Sequence, residues 1–278
     1  MAAIEKLSTD LYHQLRDFIY EQCGIFFSDA KLYFIENRIS KRLEALQLKS
    51  YRDYLTLLKS PSRRDELSNL FDQITTNETS FYRNPPQFEA LRQFIFPRLI
   101  EQAKKRNQTL LKIWSAACSS GEEPLTLAME ALEVEHLWRG MQLQIVATDI
   151  SKEILDKAET GLYSDYSMRN LPDTFKKHFK PCNGHFLVNP RLKSMIRYRL
   201  FNLVDYPGYA NYRSFDLIFC RNVLIYFDLP VKRNIIAQFY KSLNPNGYMV
   251  IGHAESLHNV NQDFKLEHFS RAIGYIRP

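Results

Sequence analysis

The chain has 278 residues, with 37 lysines and arginines against 31 aspartates and glutamates, a net charge of +6. Apolar residues make up 45% and charged residues 24%, which excludes a disordered chain and predicts one large domain with a smaller one beside it. There is no run of about 18 apolar residues to span a bilayer, no basic patch with an apolar core over Met1–Lys6 to act as a secretion signal, and no clustering of the four cysteines (Cys23, Cys118, Cys182, Cys220) for disulfides or zinc. The expectation is a cytoplasmic protein with reduced thiols and no metal.

Residues 1–75 carry 11 basic and 11 acidic side chains, so the positive excess lies downstream. They show only helical periodicity, with helices predicted near 9–23, 30–47, 50–59 and 64–74, and are expected to form an all-helical domain. In the second helix Lys31, Arg38, Lys41, Arg42 and Lys49 fall on one side, and Leu32, Ile35, Ile39, Leu43 and Leu46 form the opposing stripe. That basic side is either a solvated face or a docking face for an acidic partner. Residues 76–84 follow as a linker, and 85–278 as the large domain.

Pro85-Pro86 starts a helix predicted over 86–106. The texture then alternates: strand 110–117, helix 122–135, strand 142–150, helix 151–159 capped by Ser151, strand 215–223, helix 230–243, strand 247–253. Such alternation implies a mostly parallel sheet with helices on both faces, an α/β fold. Residues 163–200 interrupt it. With Pro172, Pro181, Gly184 and the short runs 186–189 and 195–200 they read as an inserted β-subdomain.

In an open parallel sheet the ligand sits beyond the carboxyl ends of the strands. After the first strand comes Ser115-Ala116-Ala117-Cys118-Ser119-Ser120-Gly121-Glu122-Glu123-Pro124. Its single glycine excludes the dinucleotide fingerprint, and no Gly-Lys-Ser/Thr marks a P-loop. Glu122 and Glu123 either cap the helix dipole or face a cationic or hydroxyl-bearing ligand; phosphate would want bare N–H groups there. Asp149 ends the second strand, either as a capping acid or as an acceptor for ribose hydroxyls. Arg221-Asn222 ends the third, where polar groups need partners. Upstream, Asn77, Thr79 and Arg83 lie in a hydroxyl-rich segment that is either a capped linker or a lid. Together these groups suit a nucleoside with an amino-acid tail and no phosphate, as in S-adenosylmethionine.

The segments Thr75–Arg83 (T-T-N-x-T-x-F-x-R), Trp114–Pro124, Ala147–Ser151, Phe215–Asp228 (C-R-N-V-x-I-Y-F-D within it) and Gly252–Leu257 resemble, in order and spacing, the chemotaxis receptor methyltransferase (CheR) family over nearly the whole chain. The resemblance implies an N-terminal helical domain, a Rossmann-like S-adenosylmethionine-dependent methyltransferase domain and an inserted β-subdomain. It implies esterification of glutamate side chains on methyl-accepting receptors, with S-adenosylhomocysteine as product. It also implies a cofactor site of Asn77, Thr79, Arg83, Glu123, Asp149, Asn202, Leu203, Arg221 and Asn222, with Arg83 and Tyr226 positioning the reacting groups. Arg38, Lys41 and Arg42 would then guide the acidic receptor helices. Some members tether a receptor peptide through a glycine-bearing β-loop; the turn Asn189–Ser194 has no glycine, so tether-independent recognition by a monomer is expected.

Three rival readings are weaker. Asn84-Pro85-Pro86-Gln87 lies before the cofactor loop and lacks the aromatic end of the amino-methylase motif, so no nucleic-acid partner is expected. His253-Ala254-Glu255 lacks the P-C-x-x-C partner of a zinc deaminase. The non-enzymatic alternative is an S-adenosylmethionine-binding sensor or docking module of a chemosensory pathway, without turnover.

Overall fold

The computed structural model describes residues 5–61 and 63–278. The first four helices are α1 (Thr9–Cys23), α2 (Leu32–Leu46), α3 (Tyr51–Lys59) and α4 (Arg64–Ile74). Their ends follow local chemistry. Ser8 and Ser50 accept N-terminal amides of α1 and α3, and Gly24 closes α1 in a left-handed cap. Leu15, Ile19, Ile35, Ile39, Leu43, Tyr54 and Leu70 meet in one core of their own. The apolar stripe read along α2 is therefore the face turned inward.

The basic side of α2 is less uniform than its spacing suggests. Lys41 is exposed, Arg38 lies over the Phe34 ring at 5.1 Å, and Lys49 falls beyond the helix end. Arg42 does not serve as a free docking cation. Its guanidinium makes a two-bond fork to the buried Glu66 of α4, at 2.9 and 2.7 Å, and Glu66 also accepts from Tyr54 Oη at 2.8 Å. Glu66 lies 24 residues away in sequence, so the helix pattern alone could not reveal the pair.

Helix α5 (Pro85–Ala90) runs through a π turn, Leu91–Ile95, into α6 (Phe96–Lys105). The single helix predicted here carries this wide turn because Pro97 has no N–H to give Gln93; Phe96 N instead donates to Leu91 O. Next come β1 (Leu110–Ala116), α7 (Glu122–Glu133), β2 (Gln142–Asp149) and α8 (Lys152–Thr160). The insertion holds β3 (Leu162–Tyr163), α9 (Asp165–Met168), β4 (Phe179–Cys182), β5 (His185–Val188) and α10 (Pro190–Ser194). The chain ends with β6 (Ile196–Leu200), β7 (Phe215–Cys220), α11 (Leu229–Ser242), β8 (Leu243–Ile251), β9 (Lys265–Phe269) and β10 (Ala272–Ile276).

The large sheet has the order β6-β2-β1-β7-β8-β10-β9. Its first five strands are parallel, and β10 runs antiparallel to both neighbours. Side chains of β1 alternate between two cores, with Leu111 and Ile113 on one face and Trp114 and Ala116 on the other. The order reverses at β1, which places a crevice at the carboxyl ends of β1, β2 and β7.

In and beside the insertion, two segments differ from the sequence reading. Residues 196–200, grouped with the insertion, form the edge strand β6 beside β2; the small sheet is β3-β5-β4 alone. Its hairpin turn is Asn183-Gly184, both with positive φ, as a two-residue type I′ turn requires. Asn189 instead caps α10. The lack of glycine over 189–194 therefore says nothing about the β-loop, and tether-independent recognition loses its support.

Candidate active site

The helical domain closes over the crevice through specific bonds. Ile25 pairs with Phe227 in an isolated antiparallel bridge. Tyr20 Oη donates to Asp228 at 2.8 Å, Asn202 Nδ2 to Gln22 O at 2.8 Å, and Ser151 Oγ to Asp72 at 2.6 Å. Between helices and sheet lies a cavity of about 220 Å³. Asn77, Thr79, Arg83, Glu123, Asp149, Asn202, Leu203, Arg221, Asn222 and Tyr226 all line it. Residues far apart in sequence are thus gathered at the end of the sheet where a ligand is expected.

The floor is the β1–α7 loop. Ala117 and Ser119 take positive φ there, and Gly121 sits at φ 90° with Tyr198 Oη 2.7 Å from where a Cβ would stand. Backbone strain of this kind collects at functional loops. The loop's Ser119 N donates to Asp149 Oδ2 at 2.8 Å, and Ser151 N donates to Oδ1 at 3.0 Å. These bonds fix the carboxyl of Asp149 at the strand end. Burial still pushes it up from the ordinary carboxylate range, because those amides only partly replace water.

The two acids that start α7 part company. Glu123 faces the cavity, accepts from Ser115 Oγ at 2.8 Å and pairs with Arg221 Nη1 at 3.2 Å. Glu122 is held by Ser120 and Ser167 hydroxyls at 2.7 and 2.9 Å and ties the loop to the insertion. Burial pushes both carboxyls up. Arg221 is itself buried, over the Phe88 ring at 5.2 Å, and its second nitrogen donates to Arg83 O. Both terminal nitrogens thus have protein acceptors, whereas its buried Nε has no hydrogen-bond partner. Asn222 follows in left-handed conformation at φ 57°, its N–H given to Glu255 Oε2 at 3.0 Å.

The segment 76–84 is bound to the floor, since Ser119 Oγ donates to Asn77 O at 3.1 Å. Arg83 Nη1 donates to Glu78 O at 2.8 Å. The Asn202 amide is occupied by Gln22 O and Val204 N, which leaves the backbone of Asn202–Leu203 at the cavity edge.

Sequence reasoning missed the helical domain's share of the lining: Cys23, Phe26, Phe27, Lys31, Phe34 and Ile74. Phe26, at 55% exposed, lines the cavity beside Tyr226, whose carbonyl accepts from Phe26 N. The one signal for this in the sequence is the apolar Ile25-Phe26-Phe27 directly after the helix stop at Gly24. Burial raises the thiols of Cys118 and Cys220 far above the ordinary range and so leaves them inert; Cys118 lines the cavity, whereas Cys220, expected as a pocket wall too, lies in the core behind it.

Comparison with known proteins bears on this geometry. Residues 10–75 match a model described as CheR methyltransferase, all-alpha domain, and residues 77–273 match CheR methyltransferase, SAM binding domain. The chain belongs to the CheR methyltransferase family. It is 34% identical over 267 residues to chemotaxis protein methyltransferase 2 of Vibrio cholerae, covering 95% of this chain and 92% of that one. It is 36% identical over 270 residues to chemotaxis protein methyltransferase 1 of Pseudomonas aeruginosa, covering 95% and 96%. A chemotaxis protein methyltransferase of Borreliella burgdorferi is 36% identical over 254 residues, covering 90% and 89%. The fold is therefore that of the family: an all-helical domain followed by a Rossmann-like, S-adenosylmethionine-binding methyltransferase domain. Among the described residues no helix is long and apolar enough to cross a membrane, and no cluster of metal-ligating side chains occurs.

Proposed function

We propose that this CheR-family chain transfers a methyl group from S-adenosylmethionine to glutamate carboxylates of methyl-accepting chemotaxis receptors. One observation carries the reading: the cavity pairs buried acceptors on its inner side with no histidine among its described lining residues. Its inner acids, Asp149 and Glu123, are already engaged, Glu78 lies at the outer edge with Arg169 at 3.9 Å, and the Cys118 thiol is raised by burial. A site without a free general base suits a nucleophile that is ionised beforehand, and a glutamate carboxylate has a reference pKa near ~4.3. Its inner side also fits the cofactor, because Asp149 and Glu123 offer acceptors to hydroxyl and ammonium donors where a phosphate would be repelled.

When bound, S-adenosylmethionine supplies a methyl group already activated by its sulfonium. Asp149 would hold the ribose, Asn202–Leu203 the adenine edge, and Glu123 the ammonium, with Asn77, Thr79, Arg221 and Asn222 around them. Arg83 and Tyr226 would orient the acceptor carboxylate, and Phe26 and Phe27 would keep water from it. Lys31, Arg38 and Lys41 present positive charge on the side of α2 and its leading turn, which suits acidic receptor helices.

Calorimetry tests the cofactor. The parent protein is expected to bind S-adenosylmethionine and S-adenosylhomocysteine. Asp149→Ala is expected to weaken both by roughly 30–150-fold, the worth of about 2–3 kcal/mol of charged hydrogen bonds. Base-labile methyl transfer to receptor fragments then tests the acceptor. Binding without transfer would leave the sensor alternative, and absence of binding at millimolar ligand would end the methyltransferase reading of this chain. The docking face is tested by Arg38→Glu with Lys41→Glu. The receptor KM is expected to rise several-fold at low salt, cofactor affinity to hold, and the difference to shrink at high salt. A KM unchanged at low salt would remove α2 from recognition.

A further inference from the structure

The lid ends in two residues with left-handed backbone, Tyr82 at φ 56° and Asn84 at φ 67°. A bulky side chain in that region is strained and persists only where its surroundings hold it. Those of Tyr82 do. Its N–H donates to Thr126 Oγ1 at 3.4 Å, and its ring lies against Phe88 and Phe175 with centroids 5.3 and 5.1 Å away. Its hydroxyl donates to Glu130 Oε1.

Glu130 is 0% exposed and lies about two turns beyond Glu123 on α7. Glu123 grips Arg221, which donates to the carbonyl of Arg83. One helix therefore holds Arg83 from both sides. Thr126 and Glu130 fix the residue before it, and Glu123 fixes its carbonyl through Arg221.

We propose that Glu130 and Tyr82 are positioning residues for Arg83, the buried carboxyl holding the strained turn that keeps Arg83 and its lid at the cavity. The inference rests on the methyltransferase reading of that cavity. A side chain needed only to fill this space would be apolar and carry no desolvation cost. Glu130 is a poor space-filler. Its second oxygen has no hydrogen-bond partner, and the nearest cation is Arg92 Nη1 on the π turn at 3.5 Å. The other charged groups around it are Glu133 on α7 and Lys177, which pairs with Glu133 at 3.2 Å. What the carboxyl does provide is an acceptor aimed at the Tyr82 hydroxyl.

Three variants separate positioning from packing. Tyr82→Phe removes one oxygen and keeps the ring, Glu130→Leu removes the acceptor, and Glu130→Gln keeps it. Amide hydrogen exchange over residues 77–84 is expected to rise about tenfold in Tyr82→Phe and Glu130→Leu, the equivalent of one hydrogen bond, and to stay at the parent level in Glu130→Gln. Exchange in β1 and α11 is expected to stay unchanged in Tyr82→Phe. In the same variant kcat is expected to fall about tenfold with little change in the KM for S-adenosylmethionine, and Glu130→Gln to retain the parent kcat. Parent-like exchange and kcat in Tyr82→Phe would overturn the proposal, as would exchange that rises equally across the sheet. Failure of the parent to bind nucleoside would count against the methyltransferase reading instead, and the exchange comparison would still decide the role of the Glu130–Tyr82 bond in holding the lid.

Discussion

Replacing Arg221 with methionine is expected to cost about 3–5 kcal/mol of folding stability and to abolish nucleoside binding. The side chain of Arg221 is 3% exposed and that of Glu123 13%. Methionine fills much of the same space, so the loss comes from Glu123, left in the interior with only Ser115 Oγ at 2.8 Å. Burial pushes Arg221 below its ordinary value and Glu123 above its own, and each charge is sustained mainly by the other. The second variant is therefore the informative one. Adding Glu123→Gln to Arg221→Met removes the unpaired charge and is expected to recover most of the stability. It is not expected to recover binding, because the cavity has then lost both the Glu123 carboxylate and the group that pins the Arg83 carbonyl. Urea melts and calorimetry on the two variants check this. A double variant as unstable as the single one would mean that Arg221 acts by packing on Phe88 and Phe219 rather than by charge.

What could be read in the sequence was whatever local chemistry decides. Ser151 marks a helix start by capping, and α8 begins directly after it. Strands β1, β2 and β7 stand out as apolar runs, and the residues singled out as cofactor or catalytic residues, after those strands and in the segment upstream, are brought together on one cavity. Pairings across long distances were not legible. Residues 196–200 look like a strand, but no pattern within them says that they join β2 rather than β5. The β9–β10 hairpin is hidden because Lys265–Phe269 is largely exposed and its turn, Ser270-Arg271, carries no glycine or asparagine. Arg42 is the same kind of case, its partner Glu66 lying on another helix. Resemblance to the family supplied roles for Asn202 and Tyr226 that composition and periodicity do not encode.

Glu130 also predicts how stability depends on pH. Its carboxyl is pushed from an ordinary 4.5 up to about 8, mainly by burial and further by the nearby Glu133. In the unfolded chain the group ionises near 4.5, whereas in the folded protein it keeps its proton until about 8. Between those values the folded state binds more protons, so stability falls as pH rises through the window and levels off above it. Glu122, Glu123 and Asp149, also raised by burial, tilt the curve the same way. Glu130→Gln isolates one share of that slope, because glutamine keeps the acceptor for Tyr82 and cannot ionise. Parent and variant are expected to melt alike near pH 5. The variant should then gain on the parent up to pH 8 and keep a constant lead beyond. A tenfold change in proton affinity is worth about 1.4 kcal/mol, which sets a ceiling of a few kcal/mol and a lead of several degrees in Tm. Melting curves that run parallel from pH 5 to 9 would mean that Arg92, 3.5 Å away, keeps Glu130 ionised throughout. Tyr82 would then be held by a carboxylate and not by a neutral acid, a stronger acceptor that carries a higher desolvation cost on α7.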